Sequence, residues 1–273
     1  MDDRTQFERS DLPRGSDRND QITAYTSTDT SIDHVRQPYN QQIVDQIQSA
    51  AFSDLNPDLS GLINGYLATG ITSTDLCETY IPEAARRLGA QWCDDTLSFA
   101  GVTIGCARLA KALRDLEGRE VSQEPLNAPQ VLLLVAEDVY HTLGATVLSG
   151  ILRRAGLGVQ LWIGATASTV KDQLRHTDFD AVLLSASTGE SLESLRRLIA
   201  AVKLEQPGLP TIVGGTIIDT IGSGIDVAQL TGADVVTTDI NRAIRLCHTA
   251  AQSAVPFEHK RPSPTNNVTR LQV

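Results

Sequence analysis

The chain has few aromatic residues, 4% of 273, so aliphatic side chains and alanine must fill its interior. It also lacks positive charge: 23 Lys and Arg stand against 33 Asp and Glu, a formal net charge of −10. A free-standing nucleic-acid binder normally presents a basic face, and no Lys/Arg run here could build one, so direct tight nucleic-acid binding is not expected. The four cysteines, Cys77, Cys93, Cys106 and Cys247, are too dispersed for a CxxC metal site or a small disulfide framework. They read as reduced cytoplasmic thiols. No uninterrupted apolar run approaches the length of a membrane span, so no membrane role is expected. The opening MDDRTQFERSDLPRG has neither a basic n-region nor an apolar h-region, which argues against a signal peptide and for a cytoplasmic protein. Several catalytic signatures are missing as well. There is no GxGxxG after the first strand-like run, no P-loop, no Gly-x-Ser-x-Gly elbow and no HExxH.

What is present falls into two halves. Residues 1–40 are polar and without apolar periodicity, and 254–273 read the same way; both are expected to be flexible, as an arm and a tail. Over 41–120 the pattern is helical. Ile43 and Ile47 begin a first helix, and Leu62, Ile63, Tyr66 and Leu67 form the face of a second. A third, capped at Ser73 or Thr74, runs through Leu76, Tyr80, Ala84, Leu88 and Trp92. Asp94 or Asp95 is expected to cap a fourth, carrying Phe99, Val102, Ile104, Leu109 and Leu113. Four helices with short turns suggest a small antiparallel bundle. If the third helix continued through the aspartates, the spacing of seven would put Trp92 and Phe99 two turns apart on one face.

Over 128–253 the period changes. Short aliphatic runs at 131–135, 159–163, 181–184, 211–213 and 234–237 alternate with helical segments, the signature of a parallel sheet covered on both faces. The fold class is therefore α/β: a four-helix bundle followed by a flavodoxin-like (Rossmann-like) five-stranded doubly wound domain. Ligands of such domains sit outside the carboxyl ends of the strands, where the strand order reverses. Three loops lie there. The first holds His141 three residues before Gly144, and an imidazole at that edge can act as base, hydrogen-bond donor or axial metal ligand. The second, after the third strand, holds Ser185, Ser187 and Thr188. The third is Gly214-Gly215, where missing side chains let a bulky ligand approach the backbone. Asp94 and Asp95 read as helix caps. The doublets Arg86–Arg87, Arg153–Arg154 and Arg196–Arg197 read as solvated helix faces, as do His176 and His248 at helix ends.

Together and in this order, the three loops resemble the cobalamin-binding domain of corrinoid proteins. Its signature is Asp-x-His-x-x-Gly, then a Ser-containing loop after the third strand, then Gly-Gly after the fourth. The helical module directly before the domain is similar to those of methionine synthase-like proteins and the CarH light sensors. The stretch from Ile81 to Gly89 leading to Trp92, Asp95, Phe99, Val102 and Thr103, with Ser187–Ser191, looks most like the PpaA/AerR antirepressor family. The resemblance implies that His141 is the lower axial cobalt ligand, and that Ser185 with Gly214 and Gly215 lines the slot for the nucleotide tail. It also implies that the bundle, through Trp92 and Phe99, covers the upper corrin face. Two positions depart from the pattern. Val139 stands where the motif has the Asp that orients the histidine, and Val102-Thr103 replaces the Glu-His of CarH-like modules.

The function so implied is that of a non-enzymatic, light- or redox-responsive regulator of photopigment genes. It would act as an antirepressor through a DNA-binding partner of the PpsR/CrtJ type. A corrinoid carrier in a methyltransferase system is the alternative on the same two domains, because fold alone does not separate them. A haem-binding sensor is a further one, since imidazole also ligates iron.

Overall fold

A computed structural model describes residues 39–53, 58–119, 127–137, 142–187, 191–220 and 225–253. The arm and tail expected over 1–40 and 254–273 lie outside these residues, apart from Tyr39 and Asn40.

The helical half begins with α1 (Gln41–Phe52), capped by Asn40, whose side chain accepts from Gln42 N at 3.0 Å. Helix α2 (Leu59–Ala68) is capped by Asp58, which accepts from Gly61 N at 2.7 Å. Helix α3 starts at Thr72, whose side chain forms a reciprocal capping box with Asp75. It passes from Ser73–Asp75 through a π-helical turn, Leu76–Tyr80, into Ile81–Cys93. Pro82 accounts for that turn. It has no N–H to give the carbonyl of Glu78, and the helix widens so that Ile81 N–H reaches back to Leu76 O.

Helix α4 (Phe99–Glu117) starts later than the sequence suggests. Its cap is Ser98, which accepts from Gly101 N at 3.1 Å, not Asp94 or Asp95. Asp95 adopts φ 55°, which stops α3 and reverses the chain, so Trp92 and Phe99 belong to different helices. Val44, Ile47, Leu76, Ile81, Leu88, Leu109 and Leu113 are buried completely at the centre of the bundle. Each contributes roughly 1.5–3 kcal/mol by burial.

The second half holds β1 (Gln130–Ala136), α5 (Leu143–Arg154), β2 (Gly158–Ala165), α6 (Ala167–Leu174), β3 (Ala181–Ser185), α7 (Leu192–Glu205) and β4 (Thr211–Gly214). It closes with α8 (Ile217–Thr220), α9 (Val227–Thr231), β5 (Val235–Val236) and α10 (Ile240–Ser253). Strand β5 is shorter than the sequence suggests, and α8 is an addition to it. All pairings are parallel, in the order β2-β1-β3-β4-β5. Side-chain alternation sorts the core into two layers. Val131, Leu133, Ala181, Leu183 and Ile212 pack under α5 and α10; Leu132, Leu134, Val182, Leu184 and Val213 pack under α6, α7 and α9. Asp234 sets the place of β5: its carboxylate accepts from Thr211 N at 2.9 Å, Thr211 Oγ1 at 2.7 Å and Lys203 Nζ at 2.7 Å.

Helix α5 joins the halves. Its Leu152 belongs to the sheet core, while Leu143 and Val147 pack against the bundle core. Glu117 at the end of α4 meets it closely, and a Cβ on Gly150 would lie 2.5 Å from Glu117 Oε1. Two ion pairs flank this approach, Arg154–Glu78 at 2.7 Å and Arg153–Glu117 at 4.0 Å. The Arg153–Arg154 doublet is therefore an inter-domain tether rather than a solvated face. His248 is likewise half-buried, with Nε2 3.3 Å from Ala155 O.

At the opposite side of the bundle, Glu83 is buried to 7% exposure. Burial works against its charge, but hydrogen bonds from Arg86, Tyr39 and Arg87 outweigh it and hold the carboxyl down at about 2. Arg87 carries the network on to Asp45 at 2.5 Å and to Gln41, while the Tyr39 ring packs edge-on against Tyr80. The start of α1 is thereby pinned to α3. Because the folded-state value lies below the ordinary 4.5, this stabilisation is present above pH 4.5 and is lost as the pH falls toward 2. Glu83→Gln is expected to cost about 2 kcal/mol at pH 7. It should also flatten the acid limb of stability between pH 4.5 and 2, measured by urea unfolding across that range.

Candidate functional site

The carboxyl ends of β3, β4 and β5, with α5 that follows β1, open on a cleft of about 340 Å³ on the α5/α10 side of the sheet. Gly144 and Ala145 from the first turn of α5 form one wall. Ser185 and Ser187 after β3, and Gly214 and Gly215 after β4, form the floor. This is the point where the strand order reverses between β1 and β3, and it is where doubly wound domains take their ligands. Five of the residues singled out in the sequence, Gly144, Ser185, Ser187, Gly214 and Gly215, thus meet at one place. His141 and Thr188 lie outside the described residues. Trp92 and Phe99 do not line the cleft. They pack on each other across the α3–α4 turn with ring centroids 6.2 Å apart, and both are exposed, at 41% and 70%. They are therefore not bundle core.

The two glycines in the cleft floor also let the backbone itself pack closely. Gly215 has φ 113°, and a Cβ built on it would lie 2.0 Å from Ala186 O, inside backbone rather than in the cleft. A Cβ on Gly214 would lie 3.1 Å from Thr237 O. Bare backbone here lets the loops after β3, β4 and β5 close on one another: Ala186 N donates to Gly214 O at 2.9 Å and Thr237 N to Val213 O at 3.0 Å. The glycine that leaves room for a ligand is Gly144, whose Cβ would meet no atom of the described residues within 4 Å.

The far wall was not legible from the motifs. Thr237, Thr238 and Asp239 after β5, with Ala243 of α10, complete it. Asp239 caps α10 by accepting from Asn241 N at 2.8 Å and Arg242 N at 3.2 Å. The available signal was the fifth strand itself, since a strand beside β4 must bring its own carboxyl-end loop to the same edge.

The cleft is narrow, lined by aliphatic carbons, hydroxyls and bare backbone, and large enough for a planar heterocycle with its sugar. Among the described residues its lining has one ionisable side chain, Asp239, and no basic one to select a nucleotide triphosphate. Among the described residues no group of three or more His, Cys, Asp or Glu side chains could hold a metal ion, and none of the helices is long and apolar enough to cross a membrane.

Bundle, shared helix and slotted sheet define a helical module joined to a doubly wound ligand-binding domain. Comparison with known proteins agrees. A family model described as the B12 binding domain matches residues 129–245, the whole sheet half as far as α10. A Rhodobacter capsulatus relative, an uncharacterized 20.5 kDa protein in the bchF-crtJ intergenic region, is 31% identical over 186 residues, covering 67% of this chain and 95% of the relative. Among solved structures, the monomethylamine corrinoid protein of Methanosarcina barkeri matches with a TM-score of 0.59 at 17% identity. That match covers 76% of this chain and 98% of the other, and it shows a shared fold. The chain belongs to the family of the R. capsulatus protein, and its sheet half matches the B12 binding domain. The family match favours a corrinoid over haem.

The cleft geometry separates two kinds of glycine substitution. Gly144→Leu should leave thermal unfolding near wild type while filling the cleft and lowering cobalamin uptake at least tenfold, read by titration of the absorption spectrum. Gly215→Ala should instead cost about 1–3 kcal/mol of stability, because the strain falls on the Ala186 backbone.

Proposed function

We propose that this chain is a cobalamin-dependent regulator that acts on transcription through a DNA-binding repressor of the PpsR/CrtJ type, and that it is not itself an enzyme. The observation that carries the reading is a relative in Rhodobacter capsulatus, covered over 95% of its length, whose name places its gene in the bchF-crtJ intergenic region. The composition supports the indirect route. With a net charge of −10 the chain has little means of neutralising phosphates, the main source of non-specific DNA affinity. The exposed Trp92–Phe99 pair supports a bundle that presents an aromatic surface to a flat ligand.

In this reading His141 would hold the cobalt of a bound corrinoid, and Ser185 and Ser187 would line the slot for its nucleotide tail. The corrinoid would supply the response to light or redox conditions, and the protein would hold it, exclude water from the slot and convert occupancy into a change of surface. Val139 stands where the motif has the Asp that orients the histidine. That carboxylate is worth about 10–100-fold in affinity at other metal-bound histidines. A protein that senses its ligand tolerates such a loss better than a carrier whose cobalt must cycle through ligation states.

Two measurements test the proposal. His141→Ala should abolish stoichiometric cobalamin uptake or weaken it by at least about tenfold. Wild-type uptake with an unchanged spectrum would remove the ligand assignment. Affinity for the repressor should differ between apo and cobalamin-loaded protein, or between dark and illuminated samples, while affinity for promoter DNA alone stays weak. Equal repressor affinity in all of these states would overturn the regulator reading. Methyl transfer from a corrinoid-loaded sample to an acceptor, with a methyltransferase present, would establish the carrier.

A further inference from the structure

The sheet edge that bears the cleft carries a second, smaller opening of about 80 Å³ on the opposite face, under α6 and α7. Ala136 and Ala165 at the ends of β1 and β2 are its buried floor. Its polar groups are Glu137, directly after β1, and Ser194 and Arg197 on α7. Thr166 reaches it too, but that hydroxyl serves the capping box with Thr169 at the start of α6. The Arg196–Arg197 doublet divides here. Arg196 Nε and Nη2 each donate to Glu193 at 2.7 Å, a two-pronged pair on the exposed surface. Arg197 lines the opening instead. Its Nη2 makes one long bond to Ser194 Oγ at 3.4 Å, and its Nε lies 4.0 Å from Glu193. That engages few of the five donors a guanidinium carries. Glu137 has no ion-pair partner among the described residues.

Position and chemistry both bear on what fills this opening. In the order β2-β1-β3-β4 it is centred between β2 and β1 and the cleft between β3 and β4, two strand spacings or about 10 Å along one edge. A corrin ring laid across that edge with its nucleotide tail in the cleft spans such a distance, and its rim bears acetamide and propionamide side chains. A carboxylate in the opening would meet Glu137, and an ammonium group would meet Arg197. A primary amide is neutral and has both a carbonyl to accept from Arg197 and an N–H to give to Glu137. The volume admits one such group with its methylene. We propose that the Arg197–Glu137 opening takes one peripheral amide of the corrin, so that the ligand is held on both faces of the sheet. This rests on the cobalamin reading above and adds to it. The tail in the cleft fixes one point of the ligand, and capture of an amide at a second point fixes the rotation of the ring about the first. The same pair of charges selects a fully amidated corrinoid over one carrying a carboxylate at that position.

The test titrates the full-length protein by absorption with cobalamin and with its monocarboxylates, in each of which one rim amide is hydrolysed to the acid. Arg197→Leu should bind cobalamin about tenfold more weakly than wild type, and Arg196→Leu equally well, with thermal unfolding unchanged in both. One monocarboxylate should bind the wild type about tenfold more weakly than the others, because its charge meets Glu137. Glu137→Gln, whose amide can donate to the acid, should remove that gap. Wild-type affinity in Arg197→Leu, monocarboxylates that all bind alike, or a gap that Glu137→Gln leaves in place would each overturn the proposal while cobalamin uptake itself stands. Absence of any uptake by the wild type would remove the cobalamin reading and this one with it. Should Arg197→Leu lose its fold, the monocarboxylate comparison on wild type and Glu137→Gln decides.

Discussion

Everything in this molecule hangs on one helix being buried from two sides. Helix α5 must cover β1 and β2, as any crossover helix must, yet its other face also serves the bundle: Leu152 goes to the sheet core and Leu143 and Val147 to the helical one. A helix with apolar residues around more than half its circumference cannot lie on a surface, so the sheet domain needs a cover and the bundle provides it. Gly150 lets α4 come close enough for that, with Glu117 seated where a side chain would otherwise stand. The ion pairs to Glu78 and Glu117 then fix the lateral position at the far end of the helix. Their geometry is half-exposed, so they orient the domains more than they bind them.

The same helix opens the ligand cleft with its first turn. Gly144 and Ala145 line the slot, in the same turn as the bundle contacts at Leu143 and Val147 that bracket them. The slot's shape is otherwise a matter of backbone meeting backbone. Ala186 N bonds Gly214 O, Thr237 N bonds Val213 O, and Gly214 and Gly215 approach Thr237 and Ala186 too closely to carry side chains, so the floor is closed backbone and the Gly144 wall is open. Closed floor and open wall suit a ligand whose flat tail must slide in edge first.

Much of this could be read from the residues because it rests on periodicity. Runs such as Val131–Val135 and Ala181–Leu184 alternate with amphipathic helices, and that fixes a parallel sheet and the edge on which ligands bind. Legibility ended where local chemistry competed. Asp94 and Asp95 are good capping residues, but Asp95 is taken by the chain reversal and Ser98 does the capping instead. Trp92 and Phe99 still meet, across a turn rather than along a helix. A Gly-Gly pair signals close approach without saying to what, and here the neighbour of Gly215 is the chain itself. The ion pairs of Arg153 and Arg154 join residues far apart in sequence, so no window along the chain could have shown them.

The placement of α5 also bears on how a bound ligand could be felt outside the cleft. A ligand shifts an equilibrium only by the difference in its affinity for the two arrangements. One held solely by the floor, at Ser185 and Gly214, would see the same surroundings however the bundle sat. Contact with Gly144 and Ala145 is different, because these residues ride on the turn that also carries Leu143 into the bundle core. Any displacement of that turn repacks Leu143 and Val147 on the opposite face, and close-packed cores respond to such shifts by moving between discrete packings rather than by yielding gradually. The Arg154–Glu78 pair orients the bundle at the other end of α5. Coupling between cleft and bundle surface therefore needs no chain of intermediates: one helix touches both.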